Sequence, residues 1–314
     1  MNETASPPPP AVAAEPAARF HAHLTPAAII QLAGINLLWG GSSAAAKWGL
    51  SAFGPFTLAT LRFLPGGILL WLMARYDARR SPEAPATPIR PADWPALGVL
   101  GLTVAITYGL FFCGLQQTNA TDASLLFACE PLLLALFAQV FLKERLNLQQ
   151  WGGLGLGLGG VWLIAGQSWG NRLALLALAV ESGGGVLAKK LTHTMSGLRV
   201  IAWQLLIGSV LMLPLALREV AHHVPVVTWQ AMSGLAYLCL VNTFLCYGIW
   251  YHLLNRFPVS TMGAFILLQP LVGPFYGYAL QGDRLQWHSL AGGLLILVGI
   301  ALTALRFPRT GCKG

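Results

Sequence analysis

Apolar residues dominate the chain in long blocks, and short polar breaks separate them. A membrane-crossing helix needs roughly 20 apolar residues. Ten blocks come close to or exceed that length: 27–50, 56–75, 93–116, 120–142, 148–166, 171–192, 197–217, 228–254, 260–280 and 286–306. The pattern predicts an all-α integral membrane chain of ten transmembrane helices with short connections. The longest connection, "YDARRSPEAPATPIRPAD", is Pro-rich and charged. No segment between the blocks is long enough to hold a soluble catalytic domain. The first 26 residues, with "SPPPPAVAAEPAA", lack a basic region followed by an apolar core. They do not read as a signal peptide and are expected to form a disordered tail. Residues 307–314 read as a second, short tail.

Composition supports the membrane class. The 314 residues are 55% hydrophobic and only 10% charged, with mean hydropathy +0.63. A soluble domain carries about 25% charged residues, so this chain lacks the polar surface to coat a globule in water. The net charge of +8 has a topological explanation. With the N-terminus in the cytoplasm, fourteen of the nineteen Lys and Arg fall on the inner side. Only Arg172, Arg218 and Arg284 fall outside, and Lys47 and Arg62 lie within spans. This is the positive-inside asymmetry, and an even span number returns the C-terminus to the cytoplasm. No basic helix interleaved with aromatics suggests nucleic acid. Cys113, Cys129, Cys239 and Cys246 lie in apolar blocks and Cys312 in the tail. None has metal-ligand spacing, so free thiols are expected.

The two halves repeat. "FACEPLLLALFAQVFLKERL" (127–146) aligns without a gap with "ILLQPLVGPFYGYALQGDRL" (266–285) at an offset of 139. The same offset pairs Tyr108-Gly109 with Tyr247-Gly248, Pro131 with Pro270, Arg145 with Arg284, Gly153 with Gly292 and Gly160 with Gly299. Nearer the N-terminus the offset becomes 142, pairing Lys47 with Lys189 and Arg62 with Gln204. The expected units are 27–166 and 167–306, each with five spans. Five is odd, so the second unit would be inverted relative to the first. Inverted repeats are a common architecture of secondary transporters, whose binding sites lie near the midplane between halves.

These residues resemble the EamA family of ten-helix carriers in the drug/metabolite transporter superfamily. The resemblance rests on "LLWGGSSAAAKWGL", "TLRFLPGGILL", "ATDASLLFACEPLLLALFAQVFLKERL" and "VSTMGAFILLQPLVGPFYGYALQGDRL", and covers about residues 27 to 306. It implies two five-helix halves around a central cavity. It also implies that spans 5 and 10 lie outside that basket, at a homodimer contact. Family members include exporters of amino acids and other small metabolites.

Polar residues inside the spans are the candidate site. Glu130 lies about ten residues into span 4, near the bilayer centre at about 1.5 Å per residue. A central charge costs at least ~2.5 kcal/mol. Pro131 opens the helix around the Phe127 carbonyl, which suits a span lining a wet cavity. A structural ion pair, or a protonated carboxyl bonded across helices, is the alternative. The second half carries neutral Gln269 before Pro270, which leaves one carboxylate free for a substrate or proton role. Glu181 precedes Ser182 and three glycines, and either binds an ammonium group or pairs with Arg62. Arg62 can snorkel, pair with Glu130 or Asp122, or hold a substrate carboxylate. Snorkelling suffices for Lys47, Lys189 and Lys190. Trp39, Tyr108, Trp203, Tyr247 and Trp250 are candidate cavity aromatics, with Gln204 beside Trp203 as the counterpart of Arg62. His222-His223 reads as a solvent-exposed pair in an outer loop. "GLGLGLGG" lies within an apolar span with no preceding strand, so it reads as helix packing and not as a nucleotide loop.

The expected function is a secondary transporter in the inner membrane, moving a small polar metabolite outward by alternating access, with a proton as candidate coupling ion. An integral-membrane enzyme is the competing class. It needs a nucleophile, acid-base pair or metal set, and the chain has no HExxH, GxSxG or Cys/His cluster. A non-transporting scaffold or receptor is the third class, and the loops are short for it. No metal or cofactor is expected.

Overall fold

The structure, a computed structural model, describes residues 25–80, 89–142, 147–192, 194–254, 256–257, 262 and 265–304. The expected tails before residue 25 and at 307–314, and Lys143-Glu144-Arg145, lie outside these. Among the described residues the chain is all-helical, with no strand. The helices are α1 (Pro26–Gly40), α2 (Ser42–Leu50), α3 (Pro55–Arg80), α4 (Trp94–Gln116), α5 (Ala120–Phe127), α6 (Glu130–Leu142) and α7 (Leu148–Ala165). There follow α8 (Trp169–Leu191), α9 (Gly197–His222), α10 (Trp229–Ala236), a π-helical segment (Tyr237–Leu245), α11 (Cys246–Leu254), α12 (Leu268–Gln281) and α13 (Trp287–Ala304).

Four stretches are long and apolar enough to cross a membrane as single helices: Pro55–Arg80, Pro91–Gln116, Gly197–His222 and Trp229–Leu254. Other predicted spans are interrupted. The first parts at Gly41 and the fourth at Ala128-Cys129, and a turn at Leu267 precedes α12. The first of these breaks was not evident from the apolar pattern, because Gly41 and the serines beside it barely alter local hydropathy.

Besides α4 with α9, the main helix pairs are α3 with α9, α4 with α8, α7 with α13, α5 with α12, and α2 with α10. In terms of the apolar blocks these are 2 with 7, 3 with 6, 5 with 10, 4 with 9, and 1 with 8. Exchanging each block with the one five places away leaves this set unchanged. Every pair joins one half of the sequence to the other. The core between them is filled by Leu58, Phe63, Leu70, Phe112, Leu115 and Leu126, all fully buried. Large apolar side chains also cover the outside: Trp162 is 77% exposed, Phe275 65% and Leu294 63%. Lipid, and not water, is the solvent such a surface fits.

The glycines of α7 and α13 face each other. A β-carbon on Gly160 would fall 2.5 Å from the carbonyl oxygen of Gly292, and one on Gly153 2.7 Å from that of Gly299. Small residues let two backbones approach this closely. These glycines are therefore used within the chain, between its fifth and tenth blocks.

Candidate functional site

The irregular backbone gathers around one cavity of ≈ 190 Å³. Backbone that departs from the helix is tolerated at membrane depth where it lines a cavity or packs in protein. At the first break, the Leu38 carbonyl accepts from the Gly41 amide (3.2 Å) and from the Tyr237 hydroxyl (2.6 Å). At the second, Ala128 and Cys129 turn tightly onto Leu125 (3.1 Å) and Leu126 (2.9 Å). Pro131 has no N–H to give the Phe127 carbonyl. Helix α6 then starts at Glu130, which puts the carboxylate at a helix N-terminus, where negative charge is favoured.

The π-helical segment does comparable work in the other half. Such segments concentrate at functional sites. Its Thr243 hydroxyl donates back to the Leu238 carbonyl (2.8 Å), and the Asn242 carbonyl accepts from Trp39 Nε1 (3.0 Å). Asn242 and Thr243 thereby face Arg62. The guanidinium donates to Asn242 Oδ1 at 2.6 Å and to Thr243 Oγ1 at 3.1 Å. It also lies over the rings of Phe63 (4.6 Å) and Tyr108 (5.2 Å). Arg62 is 4% exposed, so these partners replace the water that it has lost. The carboxylate pairing expected of Arg62 is not what holds it, since both hydrogen bonds go to neutral groups of the other half. Asp122 has different partners, Asn171 Nδ2 (3.0 Å) and Ser289 Oγ (2.5 Å).

Glu130 and Glu181 line the same cavity. The Glu181 carboxylate interacts with the Tyr108 hydroxyl, and Tyr108 with Tyr247. Among the described residues, one Glu181 oxygen, Oε2, has no hydrogen-bond partner, and neither do Asn242 Nδ2 and Ser43 Oγ. All three residues line the cavity. Buried polar groups left this way cost about 1–3 kcal/mol each, so they mark where a ligand or water must supply bonds. Gln269 donates to Asn36 Oδ1 (2.8 Å), and Asn36 to the Leu32 carbonyl (2.7 Å). Trp39 packs edge-on against Tyr247 and tilted against Trp250, both at 5.5 Å between ring centres.

Eight of the sequence-derived candidates thus meet at one place: Glu130, Gln269, Glu181, Arg62, Trp39, Tyr108, Tyr247 and Trp250. Pro131 and Pro270 follow Glu130 and Gln269 in their helices. Trp203 and Gln204 are not in the lining; Trp203 packs edge-on with Trp94 at 5.2 Å. The lining also holds Ser42, Ser43, Ser124 and Asn242, which sequence reasoning passed over. Asn242 carried a usable signal, being a polar residue mid-way along "YLCLVNTFLCYG".

A second, wider space of ≈ 490 Å³ lies where the connections at 116–119, 166–168 and 282–286 meet. Lys47, Asp283, Asp122, His288 and several glutamines line it.

A helical bundle with an apolar exterior and a polar interior cavity defines a multi-pass membrane protein. The EamA-like transporter family matches residues 26–166 and again residues 168–305. The chain belongs to that family, within the drug/metabolite transporter superfamily. It is similar to a probable amino-acid metabolite efflux pump of Salmonella typhimurium, 30% identical over 294 residues that span 87% of this chain and 93% of the relative. It is also 27% identical over 289 residues to an S-adenosylmethionine/S-adenosylhomocysteine transporter of Chlamydia trachomatis, covering 86% and 85% of the two chains. A solved crystal structure shares the fold, with a TM-score of 0.58 at 19% identity, over 88% of this chain and 96% of the other.

Proposed function

We propose that the protein is an inner-membrane secondary transporter that exports a small ammonium-bearing metabolite, an amino acid or a close relative, by alternating access. The observation that carries this reading is the convergence of Glu130, Glu181 and Arg62 with the rings of Trp39, Tyr108, Tyr247 and Trp250 on one cavity built by both halves. Two carboxylates outnumber the single guanidinium, and Arg62 is already held by Asn242 and Thr243. Those neutral partners leave the guanidinium charged, so with both carboxylates ionised the three side chains sum to a single negative charge, which suits a cation. At ~30 Å³ per water, the cavity holds on the order of six waters, which suits a small metabolite and not a lipid or peptide. Two like charges in so small a space also favour one bound proton. A proton on the pair and a cation beside it compete, which is the basis of exchange. The names of the Salmonella and Chlamydia relatives support a nitrogen-containing cargo.

In this reading the ten blocks are ten spans, the halves 27–166 and 167–306 are inverted repeats, and both termini are cytoplasmic. Any homodimer would use the lipid-facing sides of α7 and α13, because their inner sides hold each other. The test is uptake of radiolabelled amino acids into everted membrane vesicles from cells overproducing the protein. At least one ammonium-bearing compound should accumulate above vesicles lacking the protein and be released by a protonophore. Failure of all proteinogenic amino acids and of S-adenosylmethionine would overturn the substrate class.

A further inference from the structure

The central cavity and the wider space are separated by a thin partition. Helices α2 and α5 border both spaces, and α12 runs from the cavity to the turn that borders the wider space. Helix α2 gives Ser43 to the cavity and Lys47, one turn on, to the wider space. Helix α5 gives Ser124 and Asp122 in the same way. Helix α12 carries Gln269 in the cavity, and Asp283 follows its far end.

Helix α12 lies in the cleft between the other two with no room to spare. A β-carbon on Gly273 would fall 2.4 Å from that of Ser124, and one on Gly277 2.4 Å from Thr121 Oγ1. Polar contacts hold it there. Asp283 Oδ2 accepts from both the amide (2.9 Å) and the hydroxyl (3.1 Å) of Thr121, at the start of α5. Gln281 Nε2 donates to the Ala44 carbonyl of α2 (2.6 Å). The Asp283 arrangement recurs at another junction between the halves. Glu219 accepts from the amides of Phe56 (3.2 Å) and Thr57 (2.8 Å) and from the Thr57 hydroxyl (2.8 Å), at the start of α3. In both cases a carboxylate of the second half caps a helix of the first through one threonine.

We infer that α12 against α2 and α5 is a closed gate, latched by Asp283 on Thr121, and that the wider space beyond it is the outer mouth of the transport path. This rests on the topology and transport reading above. Such a latch is reversible. The Asp283 carboxylate is half-buried at the edge of the wider space, where water can replace its two donors, whereas the glycine contacts re-form only in one register. Lys47 stands across the mouth within electrostatic range of Asp283, a cation positioned to receive the carboxylate when it leaves Thr121. In this structure the Asp283 latch and the glycine contacts are both made, which is the closed state of the gate.

Cysteine labelling tests this with a membrane-impermeant maleimide, in a chain whose five native cysteines are replaced. Lys47→Cys reports the mouth and Ser43→Cys the cavity side. In intact cells Lys47→Cys should label quickly from outside. Ser43→Cys should label at least about tenfold more slowly, because an open minor state is populated at roughly 10% or less. Asp283→Ala should raise the outside rate of Ser43→Cys at least about fivefold and leave that of Lys47→Cys unchanged. Equal rates with and without Asp283 overturn the latch. Should Asp283→Ala fail to reach the membrane, Ser43→Cys alone decides, by comparing intact cells with everted vesicles. Faster labelling from the cytoplasmic side supports an outer gate, and faster labelling from outside overturns it. Ser43→Cys unreactive from both sides would instead sink the water-filled path, and with it the transport reading.

Discussion

Glu130 is the residue whose placement tests the site most directly. It stands at the first turn of α6, facing Glu181, Arg62, Tyr108 and Tyr247 across the cavity. Glu130→Gln copies the residue that the second half already carries at the matching position, Gln269, so the variant should fold and insert. Transport of the vesicle substrate should fall at least about tenfold, equivalent to losing about 1.4 kcal/mol of charge-specific binding. If the pair carries the proton, the variant also loses its pH dependence but keeps substrate exchange. Unchanged transport at unchanged expression would show that Glu130 is only structural. The charged members of the cavity were legible because a charge in an apolar block is costly and so needs a reason. Ser43, Ser124 and Asn242 were harder to see, since hydroxyls and amides raise the cost of a span far less. Gln204 came from the repeat register alone, which matches positions along a helix but carries no information on the side that each residue faces.

Among the elements, the helix pair α7 and α13 shows how strictly position decides the role of a glycine. Gly160 meets a backbone carbonyl of α13, whereas nothing approaches within 4 Å of where a β-carbon on Gly159 would sit. Gly160→Ala should therefore destabilise by about 1–3 kcal/mol through overpacking. Gly159→Ala should be neutral or gain up to about 1 kcal/mol by stiffening the unfolded chain. Thermal unfolding of the two variants in detergent checks the ordering, and a Gly160→Ala chain as stable as Gly159→Ala would contradict the packing. The sequence announced the existence of these helices and the glycine-rich contact. It did not say that the contact closes within the chain, because both partners are small-residue stripes of the same kind. Pro131 announced the break before α6. The π-helical segment was hidden, since no proline or glycine marks it within Tyr237–Leu245.

For the whole molecule, orientation follows from the charge distribution and is open to a simple check. Reporter fusions at Arg90 and after the last residue should read cytoplasmic, and one at His222 periplasmic. A periplasmic C-terminus would mean an odd number of crossings and would undo the proposed inverted repeat. The global fold was legible to the extent that two sequence halves with matching prolines and glycines must build similar shapes. The crossing of partners between halves was not. It follows from three-dimensional exchange symmetry, which leaves no mark on either half alone.

That crossing has a consequence for how the protein is made. Arg62 and its partner Asn242 are 180 residues apart. At a synthesis rate of about 5–20 residues per second, the arginine waits roughly 10 to 40 s in the bilayer before its amide arrives. Until α8 is made, helices α1 to α7 hold an unmatched cation and none of the cross-half contacts. Quality-control proteases and chaperones would meet the chain in this state, so a variant such as Asn242→Leu should shorten the lifetime of newly made protein more than it lowers the melting point of what survives.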